Sequence, residues 1–222
     1  AIGRAVIDIT QGLNQRPVAI GEVFAIPEDT VLDTRSLQSL LANDIDADGQ
    51  PLTLVILTQP TRGQLEDLGA GHVRYTPVRD DTGTVTFDYT VSDGELQALP
   101  VQVEIILQAL NDAPQAMADL YALQPTQTVL TAGTGLGVLA NDVDPDGDAL
   151  LVSLVQGPTA GTLNLSLDGS FLYTPINPRP ASDGFIYRVT DPAGLSMQAP
   201  VQILLGGEPP AEIVFRSGFE AS

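Results

Sequence analysis

The sequence predicts an all-β protein made of two tandem antiparallel β-sandwiches, with an extra N-terminal strand and a C-terminal tail. Three observations predict this fold class: a duplication of about 98 residues, apolar residues that alternate with polar ones, and frequent turn residues. The 222 residues include 21 Gly and 17 Pro spread along the chain. This length is sufficient for two domains of about 100 residues, each able to bury a core.

The duplication is most evident in an aspartate-rich segment. NDIDADG at 43–49 recurs as NDVDPDG at 141–147, a shift of 98 residues. No gap is needed to align 27–93 with 125–191, and 24 of these 67 positions are identical. Chance would give roughly one identity in fifteen, so the chain contains a duplicated domain.

The duplication divides the chain into four segments. Residues 14–112 form the first repeat and residues 113–207 the second, while residues 208–222 break the pattern and form a tail. Residues 1–13 are expected to be the last strand of a preceding repeat or a donor strand. The reason is that QGLNQRPVA, which starts at residue 11, matches QALNDAPQA later in the chain at five of nine positions, and each follows an apolar strand.

Within each repeat the hydrophobic pattern has a period of two. In TVTFDYTVS (84–92) apolar and polar residues alternate, as they do in GFIYRV (184–189). Short strands in a unit of this size favour a sandwich of about seven strands. Only 36–42 is expected to hold a helical turn. The expected core residues are Tyr75, Tyr173, Phe87 and Phe185.

Composition and charge exclude several classes of protein. The 9 Arg and 28 Asp or Glu give a formal charge of 9 − 28 = −19, and the chain has no Cys, no Trp and no Lys. This charge disfavours nucleic acid and anionic lipid, and no apolar run approaches the roughly 18 residues of a membrane span. The single histidine, His72, is expected in an exposed turn and cannot build a duplicated triad. We therefore expect no enzymatic activity.

Clustered aspartates carry the most specific chemistry in the sequence. Each repeat has carboxylates at three alternate positions followed by Gly, in 44–49 and in 142–147. Two carboxylates 5 Å apart repel by roughly 3 kcal/mol at an effective dielectric near 20, so a fold that gathers them favours a bound cation. Oxygen ligands in an irregular loop suit calcium. An EF-hand is excluded because the twelfth loop residue is Val55 or Ser153 instead of Glu; the remaining alternative is a solvated turn.

Several motifs recur together with these aspartates. They are ANDIDADGQPL (42–52) and ANDVDPDGDAL (140–150), YTP (75–77 and 173–175), FDYTVSDG (87–94) and LNDAP (110–114). In combination they resemble the cadherin-like or Ig-like tandem repeats of large bacterial surface adhesins. The resemblance covers nearly the whole chain and implies two such domains in series, which calcium between successive domains makes stiff.

The resemblance also implies a set of calcium ligands. At the central junction they would be Glu28, Asn111 and Asp112 from one side and Asp142, Asp144, Asp146 and Asp191 from the other. An upper junction would use Asn14, Asp44, Asp46, Asp48 and Asp93. The upper site is expected to be weaker, because its linker reads NQRP and lacks the acid of NDAP. The alternative is a local site inside each repeat, made from its own aspartate loop and Asp93 or Asp191.

These features lead to three hypotheses on function. The first is a calcium-rigidified spacer or adhesion module of a bacterial cell-surface or secreted protein, whose partners are neighbouring repeats and a glycan or protein receptor. The second is a subunit of an extracellular fibre assembled by strand exchange through residues 1–13. The third is a carbohydrate-binding accessory module, although the chain has no Trp and only 11 aromatic residues for a sugar platform.

Overall fold

The computed structural model describes residues 12–206. Two compact units succeed each other along the chain, the first ending at Leu110 and the second beginning at Asn111. Of the predicted N-terminal strand segment, residues 1–11 lie outside the described residues, as does the tail at 208–222. Within the described part, no helix is long and apolar enough to cross a membrane.

Unit one, described over residues 12–110, contains seven strands in two sheets. The strands are β1 (Val23–Pro27), β2 (Leu32–Asp33), β3 (Thr53–Ile56), β4 (Gln64–Gly69), β5 (His72–Thr76), β6 (Gly83–Ser92) and β7 (Val101–Gln108). One sheet has the order β1-β7-β6-β3 and the other the order β2-β5-β4. Between β2 and β3 the chain makes two short 3₁₀ helices, Thr34–Ser36 and Leu40–Ala42. The second of these lies within the segment that was expected to hold a helical turn.

Unit two, described over residues 111–206, repeats this arrangement strand by strand. Its strands are β8 (Asp119–Leu123), β9 (Leu130–Ala132), β10 (Leu151–Gln156), β11 (Gly161–Leu165), β12 (Phe171–Pro175), β13 (Ser182–Thr190) and β14 (Ser196–Leu205). The two sheets have the orders β10-β13-β14-β8 and β11-β12-β9. A 3₁₀ helix, Thr134–Leu136, follows β9. The predicted fold class, all-β with tandem sandwiches, is confirmed.

The core of each unit comes from the alternating residues of its two sheets. In unit one Tyr75 of β5 and Phe87 of β6 are buried, and in unit two Tyr173 and Phe185 are their counterparts. These four predictions are confirmed. In unit two the ring of Phe171 packs edge-to-face on Phe185 with centroids 5.5 Å apart, which adds aromatic contact to the buried area.

Two local expectations differ from the structure. His72 is the first residue of β5 instead of part of an exposed turn; its side chain is partly buried, with Nδ1 3.4 Å from Thr34 Oγ1. In addition, the sheets are not antiparallel throughout, since the first strand of each unit runs parallel to the last, β1 beside β7 and β8 beside β14. The first strand is followed by a crossing to the other sheet, so it cannot pair with its neighbour as a hairpin.

Candidate metal centres

Each acidic loop is a turn organised by its own central aspartate. The first loop, residues 43–50, connects β2 to β3, and the second loop, residues 141–148, connects β9 to β10. In the first loop Asp46 Oδ1 accepts hydrogen bonds from the backbone N–H groups of Asp48 (3.0 Å) and Gln50 (2.9 Å). This local bonding explains why aspartate is needed at the centre of the loop.

The second loop repeats this turn. Asp144 Oδ1 accepts hydrogen bonds from the backbone N–H groups of Asp146 (3.0 Å) and Asp148 (3.3 Å). In both loops the turn then requires a left-handed residue, and glycine supplies it: φ is 74° at Gly49 and 77° at Gly147. The D-x-D-G spacing therefore closes the same turn twice.

One carboxylate oxygen of each central aspartate is buried and unsatisfied. Asp46 Oδ2 and Asp144 Oδ2 have no hydrogen-bond partner within residues 12–206, and neither does Gln50 Oε1 of the first loop. Leaving a buried acceptor without a partner costs about 1–3 kcal/mol, and more when the group is charged. These oxygens fit a hard divalent cation such as calcium, which binds carboxylate and amide oxygens.

In unit one the first loop is hydrogen-bonded to the segment that leads into the unit. Asp48 Oδ2 accepts a hydrogen bond from the backbone N–H of Gln15 at 2.6 Å. Asp93 Oδ2 accepts one from Asn14 Nδ2 at 3.1 Å, and its Oδ1 accepts two more from the turn after β6. Those backbone N–H groups hold the pKa of Asp93 below its usual range. Asn14 Oδ1 is buried and lacks a partner in the described part of the chain.

In unit two the corresponding cluster includes an acid from the linker, Asp112. Asp146 Oδ2 accepts a hydrogen bond from the backbone N–H of Asp112 at 2.8 Å, and the carboxylate oxygens of these two residues lie within 4.8 Å of each other. Asn111 Nδ2 donates to Asp191 Oδ2 at 2.8 Å and thereby lowers the pKa of Asp191. Unit one has Gln15 in place of this Asp112, and its cluster instead includes Glu95, whose Oε2 accepts a hydrogen bond from Asn14 Nδ2 at 3.3 Å.

The first aspartate of the second loop contacts a different set of groups. Asp142 is 9% exposed, and its Oδ1 accepts a hydrogen bond from the backbone N–H of Met117 at 2.7 Å. The hydroxyl of Tyr187 lies 3.1 Å from Oδ1 and 3.0 Å from Oδ2. Burial raises the pKa of Asp142.

In unit one the first aspartate of the loop has the same surroundings. Asp44 Oδ1 accepts a hydrogen bond from the backbone N–H of Ile20 at 2.8 Å, and the Tyr89 hydroxyl lies 3.2 Å away. The hydroxyl also lies 3.3 Å from Glu22 Oε1. Burial, together with the charge of Asp44, raises the pKa of Glu22 to about 7. Glu22 was not among the predicted site residues, because it stands alone in an otherwise apolar stretch.

A further group of acids lies near the end of unit one. Glu28 is 4% exposed, and its Oε1 accepts a hydrogen bond from the backbone N–H of Leu110 at 2.6 Å. Beside it in sequence, Asp29 Oδ1 accepts a hydrogen bond from the backbone N–H of Asp80 at 3.0 Å, and the carboxylate oxygens of the two lie within 4.8 Å. Neither Asp29 nor Asp80 was among the predicted site residues. RDDTG at 79–83 was a signal, because the second repeat has no acid in the matching positions.

Asp29 and Asp80 also have unusual backbone conformations. Their φ angles are 56° and 54°, in the left-handed region that residues other than glycine seldom adopt. Aspartate tolerates this region better than most residues because its carboxylate can bond to nearby backbone.

The structure thus joins the predicted site residues into one hydrogen-bonded set in each unit. The set in unit one contains Asn14, Asp48 and Asp93, and the set in unit two contains Asn111, Asp112, Asp146 and Asp191. Asp46 and Asp144 offer an unpaired oxygen from the same loops within the described residues. Asp44 and Asp142 instead contact a tyrosine hydroxyl and a backbone N–H group. Glu28 accepts the backbone N–H of Leu110.

The two repeats match known families of extracellular domains. Residues 14–106 match the bacterial Ig domain, and residues 111–207 match the bacterial cadherin-like domain. Among curated proteins, human FRAS1-related extracellular matrix protein 1 is 28% identical in a match that covers 74% of this chain. The chain spans 9% of the length of that protein.

Solved structures share the fold. Human Mucin-like Protocadherin EC1-2 is 15% identical, with 86% of this chain and 98% of that chain covered and a TM-score of 0.51. This similarity shows the fold alone. The endo-fucoidan hydrolase MfFcnA4, from glycoside hydrolase family 107, is 21% identical in a match that covers 92% of this chain and 31% of that chain. Its TM-score of 0.37 is too low to indicate a shared fold.

Proposed function

This chain is a tandem pair of bacterial Ig-like and cadherin-like repeats, and we propose that it is a calcium-stiffened spacer in an extracellular or cell-surface bacterial protein. Its role is mechanical and adhesive, not catalytic. Cadherin-like domains generally bind calcium, and the acidic loops of this chain supply the donor type that calcium requires.

The observation that carries the proposal is the unpaired oxygen of each central aspartate. Asp46 Oδ2 and Asp144 Oδ2 are buried and unpartnered within residues 12–206, although each aspartate's other oxygen accepts two backbone hydrogen bonds. A turn that needed only its Asx hydrogen bonds would have no reason to bury the second oxygen. A cation bound there would remove the cost of the missing partner.

The ligand sets that we propose come from the two clusters. In unit two they are Asn111, Asp112, Asp144, Asp146 and Asp191, and in unit one they are Asn14, Asp46, Asp48, Gln50 and Asp93. Because Asp112 is replaced by Gln15 in unit one, we expect the second cluster to bind calcium more tightly. At the extracellular millimolar concentration, sites of weak affinity are sufficient.

Stiffening would come from acids at the end of one repeat and at the start of the next. Glu28 is bound to the backbone of Leu110, the last residue of unit one. Asp146 is bound to the backbone of Asp112, the second residue of unit two. We expect a calcium-dependent junction, as the resemblance to cadherin-like repeats implies, with ligands from Glu28 of the first repeat and from the cluster of the second. Without calcium these carboxylates repel, and the intervening linker stays flexible.

Calcium titration of the full chain combined with small-angle scattering tests the proposal. We expect a saturable calcium-binding isotherm for the metal-free protein, and a radius of gyration that changes on calcium removal while far-UV circular dichroism is constant. A compact globule of this length has a radius of gyration near roughly 17 Å. Such a value, unchanged by chelator, together with a flat titration, would contradict the proposal.

The two remaining hypotheses predict other results in the same samples. If residues 1–13 exchange strands between molecules, the chain forms polymers, and deletion of residues 1–13 abolishes the polymers. The spacer is expected to be monomeric with or without this segment. A carbohydrate module gives a glycan-array signal that survives chelator. The spacer gives neither result.

A further inference from the structure

The first aspartate of each acidic loop differs from the other loop acids in the groups that it contacts. We propose that Asp44 and Asp142 are positioning residues, which tie the loops to the cores through Tyr89 and Tyr187 and do not ligate calcium. This inference rests on the proposed function, because it assigns roles within the proposed calcium sites.

Both oxygens of Asp142 are already engaged. Oδ1 accepts the backbone N–H of Met117 at 2.7 Å, and the Tyr187 hydroxyl lies at 3.0–3.1 Å from both oxygens. With 9% of its surface exposed, Asp142 is nearly enclosed. Asp144, two residues later, has instead a buried oxygen with no partner in the described residues. The two aspartates therefore offer different capacity for a cation.

The same contrast occurs in the other repeat. Asp44 accepts the backbone N–H of Ile20 at 2.8 Å and faces the Tyr89 hydroxyl at 3.2 Å. Asp46 Oδ2, in contrast, is buried and has no hydrogen-bond partner among residues 12–206. The contrast is therefore present in both copies of the duplicated domain.

The tyrosines connect the loops to the most rigid part of each unit. The side chains of Tyr89 and Tyr187 are fully buried, and both residues belong to central strands of the larger sheets, β6 and β13. Asp142 lies in the second loop and contacts two other segments. One is β13, through Tyr187, and the other is the backbone at Met117, a few residues after Asn111 and Asp112. An aspartate held in this way can keep the neighbouring acids of the second loop close to Asn111 and Asp112.

The surroundings of the tyrosine hydroxyl favour a hydrogen-bond donor at position 142. The backbone oxygens of Met117 (3.0 Å) and Val138 (3.1 Å) lie beside the Tyr187 hydroxyl, together with both oxygens of Asp142. One hydroxyl proton cannot satisfy four acceptors. An asparagine at position 142 keeps an oxygen for the Met117 N–H and adds an amide that can donate to these acceptors.

The test compares calcium dissociation constants of the full-length chain by calorimetry, with calcium chloride as the only titrant. The calcium dissociation constant of Asp142→Asn is expected to stay within about threefold of that of the unsubstituted chain. Asp144→Asn is expected to lose the calcium site of unit two. Asp142→Ala removes the acceptor for Tyr187 and Met117, and we expect affinity to fall about tenfold or more, as for other groups that orient metal ligands. If Asp142→Asn retains calcium affinity and Asp142→Ala loses it, residue 142 has a positioning role.

Tyr187→Phe provides a second measurement, because it keeps the buried ring and removes only the hydroxyl. We expect about tenfold weaker calcium binding with near-native circular dichroism in chelator. Loss of the site in Asp142→Asn to the same extent as in Asp144→Asn would overturn the inference and leave the calcium function standing. Unchanged affinity in Tyr187→Phe would also overturn it. A flat titration of the unsubstituted chain would instead refute the proposed function itself.

Discussion

Replacement of Asp144 by asparagine should change stability in opposite directions with and without calcium. Asparagine keeps Oδ1, which accepts the backbone N–H groups of Asp146 and Asp148, so the turn is retained. The substitution removes one negative charge from the acidic loop. At about 5 Å and an effective dielectric near 20, each pair of carboxylates repels by roughly 3 kcal/mol, which solvent screening reduces to about 0.5–1 kcal/mol.

In chelator, Asp144→Asn should therefore raise the free energy of unfolding of unit two by about 0.5–1 kcal/mol. In calcium at about a hundred times Kd, the unsubstituted unit gains about 2.7 kcal/mol, most of which the variant lacks. The variant should then be less stable by about 2 kcal/mol, or roughly 8–16 °C in Tm for a domain of about 100 residues. Differential scanning calorimetry in both buffers measures the two shifts.

Asp168→Asn is the matched control, because Asp168 forms a similar turn away from the acidic loops. Its Oδ1 accepts hydrogen bonds from the backbone N–H (3.0 Å) and the hydroxyl (2.6 Å) of Ser170, between β11 and β12. We expect its effect on Tm to be the same in calcium and in chelator. If Asp144→Asn shifts Tm equally in both buffers, or if Asp168→Asn shows the same reversal, the reasoning about the unpaired oxygen is refuted.

Two further predictions concern the rest of each unit. The pKa of Glu22 is raised from 4.5 to about 7 by burial and by the charge of Asp44, so its contribution to stability is full below pH 4.5 and is lost as pH rises through about 7. Glu22→Gln in chelator should thus be more stable than the unsubstituted chain by about 1–2 kcal/mol at pH 8 but not at pH 4, a shift discounted for its partial exposure; equal differences at both pH values would contradict this. In unit two, the Cβ of Gly161→Ala would lie 2.3 Å from the ring of Tyr173, and denaturant unfolding should show a loss of about 2–3 kcal/mol. Gly135→Ala, with open space around its Cβ, should show no loss; similar losses in both variants would show that the clash with Tyr173 is not the cause.

The fold was accessible from sequence because the duplication and the period of two report directly on strands. The core positions Tyr75 and Phe87 follow from alternation within single strands, which is a local property of the chain. The parallel pairing of the first and last strands was not predicted. That pairing depends on which sheet the chain enters after β1, and no residue pattern within the strand encodes this choice.

The site was accessible only in part, because contacts between distant segments decide which way each carboxylate points. Spacing predicted three aspartates on one side of an extended segment. The Asx turn at Asp46 instead separates their roles, and Asp44 faces Tyr89, a residue 45 positions later. Asp29 and Asp80 were missed for a related reason: their left-handed conformations bring two turns together, and positive φ at aspartate has no clear signature in a single sequence.

The parallel ladder between the first and last strands of each unit determines how that unit resists tension. In unit one the ladder runs from Val23 opposite Glu104 to Pro27 opposite Gln108. Because the strands are parallel, the chain enters the ladder at one end and leaves it at the other. A pulling force on the two termini therefore loads all the ladder hydrogen bonds together, in shear, and cannot open them one after another like a zipper. The pairing geometry of each domain therefore resists tension along the chain.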